Sequence, residues 1–152
     1  MYRQKGFTLI ELVVVIVILG LLAATALPRF INLTTDARKA SVDGVAGGLR
    51  SAVALARAQY LVNQSSGATI VPMEGNDVTV LSGTGAFAGS PVATAGGIDV
   101  ALPTPDGWTF NPGGASDGEA SYVPTGGSVA NCAVTYDPDR TPQQVVSVKS
   151  AC

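Results

Sequence analysis

Glu11 is a carboxylate set inside a run of apolar residues, and Cys132 and Cys152 are the only two cysteines of the 152-residue chain. An ionisable side chain in an apolar stretch opposes membrane insertion by about 3 kcal/mol if it sits deep, so such a residue is a functional candidate by default. Its role there would be to pair with a cation. The cysteines are too few for a zinc site and are not spaced as CxxC. A disulfide is the better reading, because closing the loop between them stabilises by about 3 kcal/mol and such bonds persist outside the cytosol. Two free buried thiols are the alternative. The chain has no His, which removes the commonest general base and the commonest zinc ligand. No enzyme and no catalytic residue is expected.

The remaining candidates for chemistry are weak. Gly83, Gly85 and Gly89 do not match GxGxxG and no helical pattern follows, so a loop is expected there and no cofactor site. Asp137 and Asp139 could offer oxygens to calcium, but the DxDxDG loop is absent and Pro138 fits a plain turn, so no metal is expected. Trp108 could stack on a sugar, yet beside Phe110 a place in the core is the commoner outcome. Asn63-Gln64-Ser65 matches a glycosylation tripeptide, which short sequences do by chance.

These residues need elements to position them, and the chain reads as two halves. Of nine Lys and Arg residues, seven precede Gln59, whereas eight of the eleven acids follow it. The net charge of -2 argues against nucleic acid as a partner. Residues 12–27 are apolar except for Gly20 and Thr25, and extending back to Phe7 adds only Thr8 and Glu11. As a helix, residues 7–27 reach about 31 Å, one bilayer core. Residues 13–18 are all β-branched and lean toward a strand in water, but in lipid only a helix satisfies every backbone group within one segment. Arg3 and Lys5 before the run place the N-terminus in the cytoplasm.

Beyond the apolar run, Gly20 and Pro28 are weak points at which the helix is expected to be interrupted or kinked. Residues 35–63 then put Val45, Leu49, Ala52, Val53, Ala56 and Tyr60 on one face, with Arg50 and Arg57 off it: an amphipathic half-helix that covers a sheet. After residue 63 the composition shifts to Gly, Pro, Ser and Thr. Strands are expected at 69–71, 77–81, 98–102, 108–110, 121–123, 132–136 and 145–149, in an antiparallel sheet. Glu74-Gly75-Asn76-Asp77 marks one hairpin turn, and Asp137-Pro138-Asp139-Arg140 another between the last two strands, the pair that a Cys132–Cys152 bond would staple.

The octamer Lys5-Gly6-Phe7-Thr8-Leu9-Ile10-Glu11-Leu12 resembles the leader junction of type IV pilins and pseudopilins, with a short basic leader, a Gly, an aromatic residue and Glu four positions later. The resemblance implies the α+β type IV pilin fold: a long N-terminal α-helix packed on an antiparallel β-sheet, with a C-terminal disulfide-bounded region. It implies cutting after Gly6 by a membrane-embedded aspartyl prepilin peptidase and N-methylation of Phe7. It also implies that residues 20–28 can lose helix when subunits pack. Ala95-Gly96-Gly97-Ile98 and Asp106-Gly107-Trp108 resemble mannose-sensitive haemagglutinin pilins.

On this basis residues 1–6 are a leader, 7–34 a transmembrane and filament-core helix, 35–63 the half-helix and 64–152 the β domain. Removing Arg3 and Lys5 leaves 9 - 2 = 7 basic against 11 acidic side chains, or -4. Cutting leaves an α-amine on Phe7, with an ordinary pKa of about 7.7 to 8.0. That amine can pair with Glu11 of its own helix, one turn away, or with Glu11 of a neighbour already docked. The family's biology implies the second arrangement, in which Phe7 and Glu11 set the register of assembly. The implied partners are other copies of the chain in a helical filament, the prepilin peptidase, the inner-membrane assembly machinery and the membrane itself, in a Gram-negative bacterium. A pseudopilin of a secretion system, a permanent membrane anchor and a soluble binding domain released by cleavage at Ala26 are the alternatives.

Overall fold

The computed structural model of the chain describes residues 6–63, 67–114, 118–142 and 144–152, and the side chains of 26–32 are not described. Arg3 and Lys5, and Gln64 and Ser65 of the tripeptide, lie outside the described residues. The chain divides into two compact units, Met1–Ala37 and Arg38–Cys152. A single helix, α1 (Leu9–Val62), contributes to both.

In the second unit α1 meets the sheet along one stripe. Val42, Ala46, Leu49, Val53, Ala56 and Tyr60 are buried, and their alternating spacing of four and three residues follows the helical period. Gly44, Gly47 and Gly48 lower the intrinsic stability of this stretch, so packing of the stripe must hold it. Val45, expected on the same face, is only partly buried at its edge.

Four strands form an antiparallel sheet in sequence order: β3 (Trp108–Asn111), β4 (Ala120–Pro124), β5 (Ala133–Tyr136) and β6 (Val145–Val148). Val42, Ala46, Leu49 and Val53 pack with Tyr122, Val134, Tyr136 and Val145 in the main core. A separate hairpin, β1 (Ile70–Met73) with β2 (Asn76–Thr79), puts Val71 and Val78 against Ala56 and Tyr60 in a second core. Its turn is Glu74-Gly75, both at positive φ, 49° and 86°, the geometry that matches the twist of a two-residue hairpin. The β strands thus fall into two sheets.

Six of the seven expected strands form, each within a residue or two of its expected limits. The seventh does not. Residues 98–102 carry a short helix, α2 (Ile98–Ala101). Gly96, at φ 85°, turns the chain just before it, and the carbonyls of Ile98 and Leu102 accept hydrogen bonds from the Tyr122 hydroxyl at 3.2 and 2.9 Å. That long-range partner satisfies carbonyls which a strand would have needed a neighbour to satisfy.

Candidate functional site

The start of α1 is built by two side chains. Thr8 precedes the first helical residue, and its backbone N–H and its hydroxyl both donate to Glu11 Oε2, at 2.9 and 2.8 Å. In return the Glu11 N–H donates to Thr8 Oγ1 at 3.3 Å. This reciprocal pattern is a capping box, which satisfies two amide donors that the first turn of a helix otherwise leaves open. It also places an acidic group in the first turn, where the helix dipole favours negative charge. Glu11 is therefore fastened, and its carboxylate is turned back toward the end of the helix at which Phe7 stands. Thr8 is the residue that the sequence analysis passed over, although a Thr three positions before a Glu ahead of an apolar run is a legible signal.

Around this carboxylate the helix surface is apolar and uncovered. Phe7 is 91% exposed and Leu9 79%, and the large side chains from Ile10 through Leu22 are all exposed. Helix α1 runs unbroken across Gly20 and Pro28. A Cβ added at Gly20 would meet nothing within 4 Å, and the Pro28 side chain lies outside the described residues. Among the described residues no helix is long and apolar enough to cross a membrane. Ala26 and Leu27, the last two residues of the expected span, have no described side chains.

At the other end of the chain Cys132 and Cys152 form a disulfide with their Cα atoms 4.9 Å apart. It closes the β5–β6 hairpin, and the Ala151 N–H donates to the Asn131 carbonyl beside it at 3.1 Å. Lys149 ties this hairpin to α1 through both oxygens of Asp43, at 2.7 and 2.8 Å. Cys132 is buried in the main core and Cys152 packs against it.

The weaker candidates take structural places. Trp108 is partly buried against the main core, and Phe110 packs on Tyr122 with ring centroids 5.0 Å apart. The Asp139 N–H donates to Asp137 Oδ1 at 3.3 Å within the expected turn. A hydrogen bond to Asp137 and repulsion from its charge hold the exposed Asp139 carboxyl above its ordinary value. Among the described residues no group of three or more His, Cys, Asp or Glu side chains could hold a metal ion. Gly83 and Gly89 shape a loop around Tyr60. The Tyr60 hydroxyl donates to the Gly83 carbonyl at 2.9 Å and accepts from its N–H at 3.0 Å. A Cβ at Gly89 would lie 2.6 Å from Tyr60 Cβ.

Comparison with known proteins bears on the first of these sites. Residues 1–27 match the family model of the prokaryotic N-terminal methylation motif. The chain is 58% identical over 57 residues to the type IV narrow pilus major component PilA5 of Thermus thermophilus, covering 38% of this chain and 49% of that protein. It is 48% identical over 50 residues to the fimbrial protein EcpC of Eikenella corrodens, covering 33% of each. With the type IV major pilin protein PilE1 of Neisseria gonorrhoeae it shares 52% identity over 50 residues, 33% of this chain and 30% of that one. The chain thus spans about half the length of the first of these relatives and about a third of the others. No solved structure matches it. The chain joins an N-terminal methylation motif and a stretch similar to type IV pilins to an α+β fold of long helix, antiparallel sheet and C-terminal disulfide, as expected of the type IV pilin fold.

Proposed function

We propose that the chain is a structural subunit of a type IV pilus that polymerises through its N-terminal helix into a surface filament serving adhesion, motility or biofilm formation. It is no catalyst. The observation that carries this reading is the start of α1, where one fastened carboxylate, Glu11, stands in a helix surface that is otherwise apolar and exposed. A helix apolar all round must be covered by lipid or by other helices. Residues 7–34 are first held in the inner membrane, with residues 1–6 as the leader, and then form the core of the filament. A prepilin peptidase cuts after Gly6 and methylates Phe7, and the assembly machinery of a Gram-negative inner membrane delivers the subunit. No nucleic acid takes part.

Glu11 is the residue that selects register. In the single subunit Thr8 occupies its carboxylate. During entry, the Phe7 amine of an incoming subunit pairs with Glu11 of one already docked, because an unmatched carboxylate in a low dielectric is costly. Gly20 and Pro28 bound the stretch that gives up helix under packing, since Pro28 has no N–H to hold the preceding turn. The resemblance of Ala95-Gly96-Gly97-Ile98 and Asp106-Gly107-Trp108 to mannose-sensitive haemagglutinin pilins supports a subunit of that kind.

Mass spectrometry of the mature chain tests the processing. Methylated Phe7 is the expected first residue, and Leu27 would make the apolar run a signal peptide. Electron microscopy of sheared cells then separates a long surface pilus from the short fibre of a secretion system. Glu11→Val is expected to abolish sheared filaments while the subunit persists in the membrane, and normal filament yield would remove Glu11 from assembly.

A further inference from the structure

Beside α1 in the second unit, arginines line one flank and Glu74 of the β1–β2 turn lines the other, and among the described residues no ion pair neutralises either. On one flank Arg50 and Arg57 bracket an open cleft of about 390 Å³, floored by Val53, Ala54 and Val145 and bounded by Gln144. Arg50 Nη2 donates to the Val145 carbonyl at 3.4 Å, and Arg57 Nη2 to the Ala86 carbonyl at 2.5 Å. A guanidinium has five N–H donors, so most of them remain for another acceptor. Among the described residues the ion pair present is Lys149–Asp43, and no carboxylate meets either arginine. In a chain with eleven acidic and nine basic side chains, two unpaired guanidiniums facing one cleft do not follow from an excess of base.

On the other flank, Ser51 and Leu55 face the β1–β2 turn, with Glu74 lining the space between them. At 3.6 residues per turn, Leu55 and Arg57 lie about 160° apart around the helix. Glu74 and Asp77 are both exposed at this turn. The positive φ of Glu74 and Gly75 makes it a tight two-residue hairpin, with Glu74 in the turn and Asp77 just beyond it in β2, opposite Pro72.

We propose that the Arg50–Arg57 cleft receives the Glu74–Asp77 turn of a neighbouring copy of this chain. The proposal rests on reading the chain as a filament subunit. Two carboxylates on one turn meet two guanidiniums whose Cα atoms are about 10 Å apart along the helix, and the planar fork of Arg suits paired carboxylate recognition. Leu55, 62% exposed beside the turn, would come with it from the neighbouring copy and meet the apolar lining of the cleft, Val53, Ala54 and Val145. Each subunit offers a turn on one flank and a cleft on the other, so the contact is head-to-tail. Such a contact is not used up by pairing two copies, and it propagates into a ring or a helical filament.

The test compares four full-length chains in an assembling cell: wild type, Arg50→Glu with Arg57→Glu, Glu74→Arg with Asp77→Arg, and all four changes together. Readouts are sheared filament yield, the salt concentration at which filaments fall apart, and the amount of disulfide-bonded subunit in the membrane. Either double reversal is expected to lower filament yield roughly tenfold by facing like charges, and the fourfold swap to return it to within about threefold of wild type. Single-flank reversals that assemble like wild type, or a fourfold swap no better than either, would overturn the contact. If a reversed chain fails to accumulate in its disulfide-bonded form, Arg50→Gln with Arg57→Gln and Glu74→Gln with Asp77→Gln replace it. Each neutral pair is expected to reduce salt resistance without loss of subunit, and unchanged salt resistance overturns the contact. A wild-type chain that makes no filament removes the filament reading and this contact with it. Filaments indifferent to charge reversal remove this contact alone.

Discussion

Helix α1 treats the same side chain in opposite ways in the two units. Leu19 is 58% exposed in the first, and Leu49 is wholly buried in the second. Both are leucines of one continuous helix. The second stretch buries its apolar residues along one stripe, leaving Leu55, Leu61 and Val62 exposed off it, and the stripe finds the sheet of its own chain. The first stretch is apolar on every side, and no single face of one sheet could cover it. A one-sided pattern can be satisfied within a chain, whereas an all-round pattern calls for lipid or many copies. Within the chain, the second pattern has its cover and the first does not.

Matched substitutions test this comparison most severely. Leu49→Ala is expected to destabilise the second unit by about 3 kcal/mol through lost burial and the cavity left behind. Leu19→Ala is expected to leave its stability within about 0.5 kcal/mol. Thermal unfolding of the detergent-solubilised chain reads both, and equal shifts would break the contrast between the halves of α1.

The next largest effect concerns the bond that only the second unit has. Replacing Cys132 and Cys152 together by Ser removes a closure over a sequence separation of 20, which is expected to cost about 3 kcal/mol. The melting temperature of the β signal should fall while the helix signal of residues 9–25 holds in detergent, and a parallel loss of both would couple the units.

Tyr136→Phe is expected to cost about 1 to 3 kcal/mol, because the Pro91 carbonyl, now bonded to the Tyr136 hydroxyl at 2.6 Å, would be left buried without a donor. Burial raises the pKa of both Tyr122 and Tyr136, with the charges of Asp99 and Asp137 adding to it and Arg57 opposing at Tyr136. Both phenols are thus held neutral in the folded state more firmly than in the unfolded chain. Their contribution is complete below the ordinary tyrosine value of about 10 and is lost as pH rises above it. Denaturant titrations between pH 9 and 11 should show stability falling in wild type and falling less in Tyr136→Phe.

The smallest effect belongs to the first unit. Thr8→Ala removes the cap and is expected to cost the first turn of α1 about 1 kcal/mol. Faster amide exchange at residues 9–11, with no change in the second unit, is the outcome to look for.

Much of the fold was legible because it is written in local pattern. Residues 9–25 could be little other than helix under an apolar solvent, and Glu74-Gly75 and Asp137-Pro138 name their turns. The disulfide had one possible pairing among two cysteines. Thr8 was equally legible, since a capping box spans only four residues, here Thr8 to Glu11. The opposite case is residues 98–102, whose β-prone composition the chain overrode.

By itself, then, the sequence determined that the apolar run is helical, which side of its continuation faces a core and where the hairpins turn, and it offered one cysteine pair. These depend on contacts within a few residues, or on there being only one choice. Tertiary structure decided that Ile98–Ala101 is helical, that the strands divide between two sheets, and that Arg50 and Arg57 border one cleft while Glu74 stands on the far flank. Each of those rests on groups from distant parts of the chain, such as the Tyr122 hydroxyl on the Ile98 carbonyl or Val145 beside Arg50. Such partners become neighbours only when burial of the core brings them together.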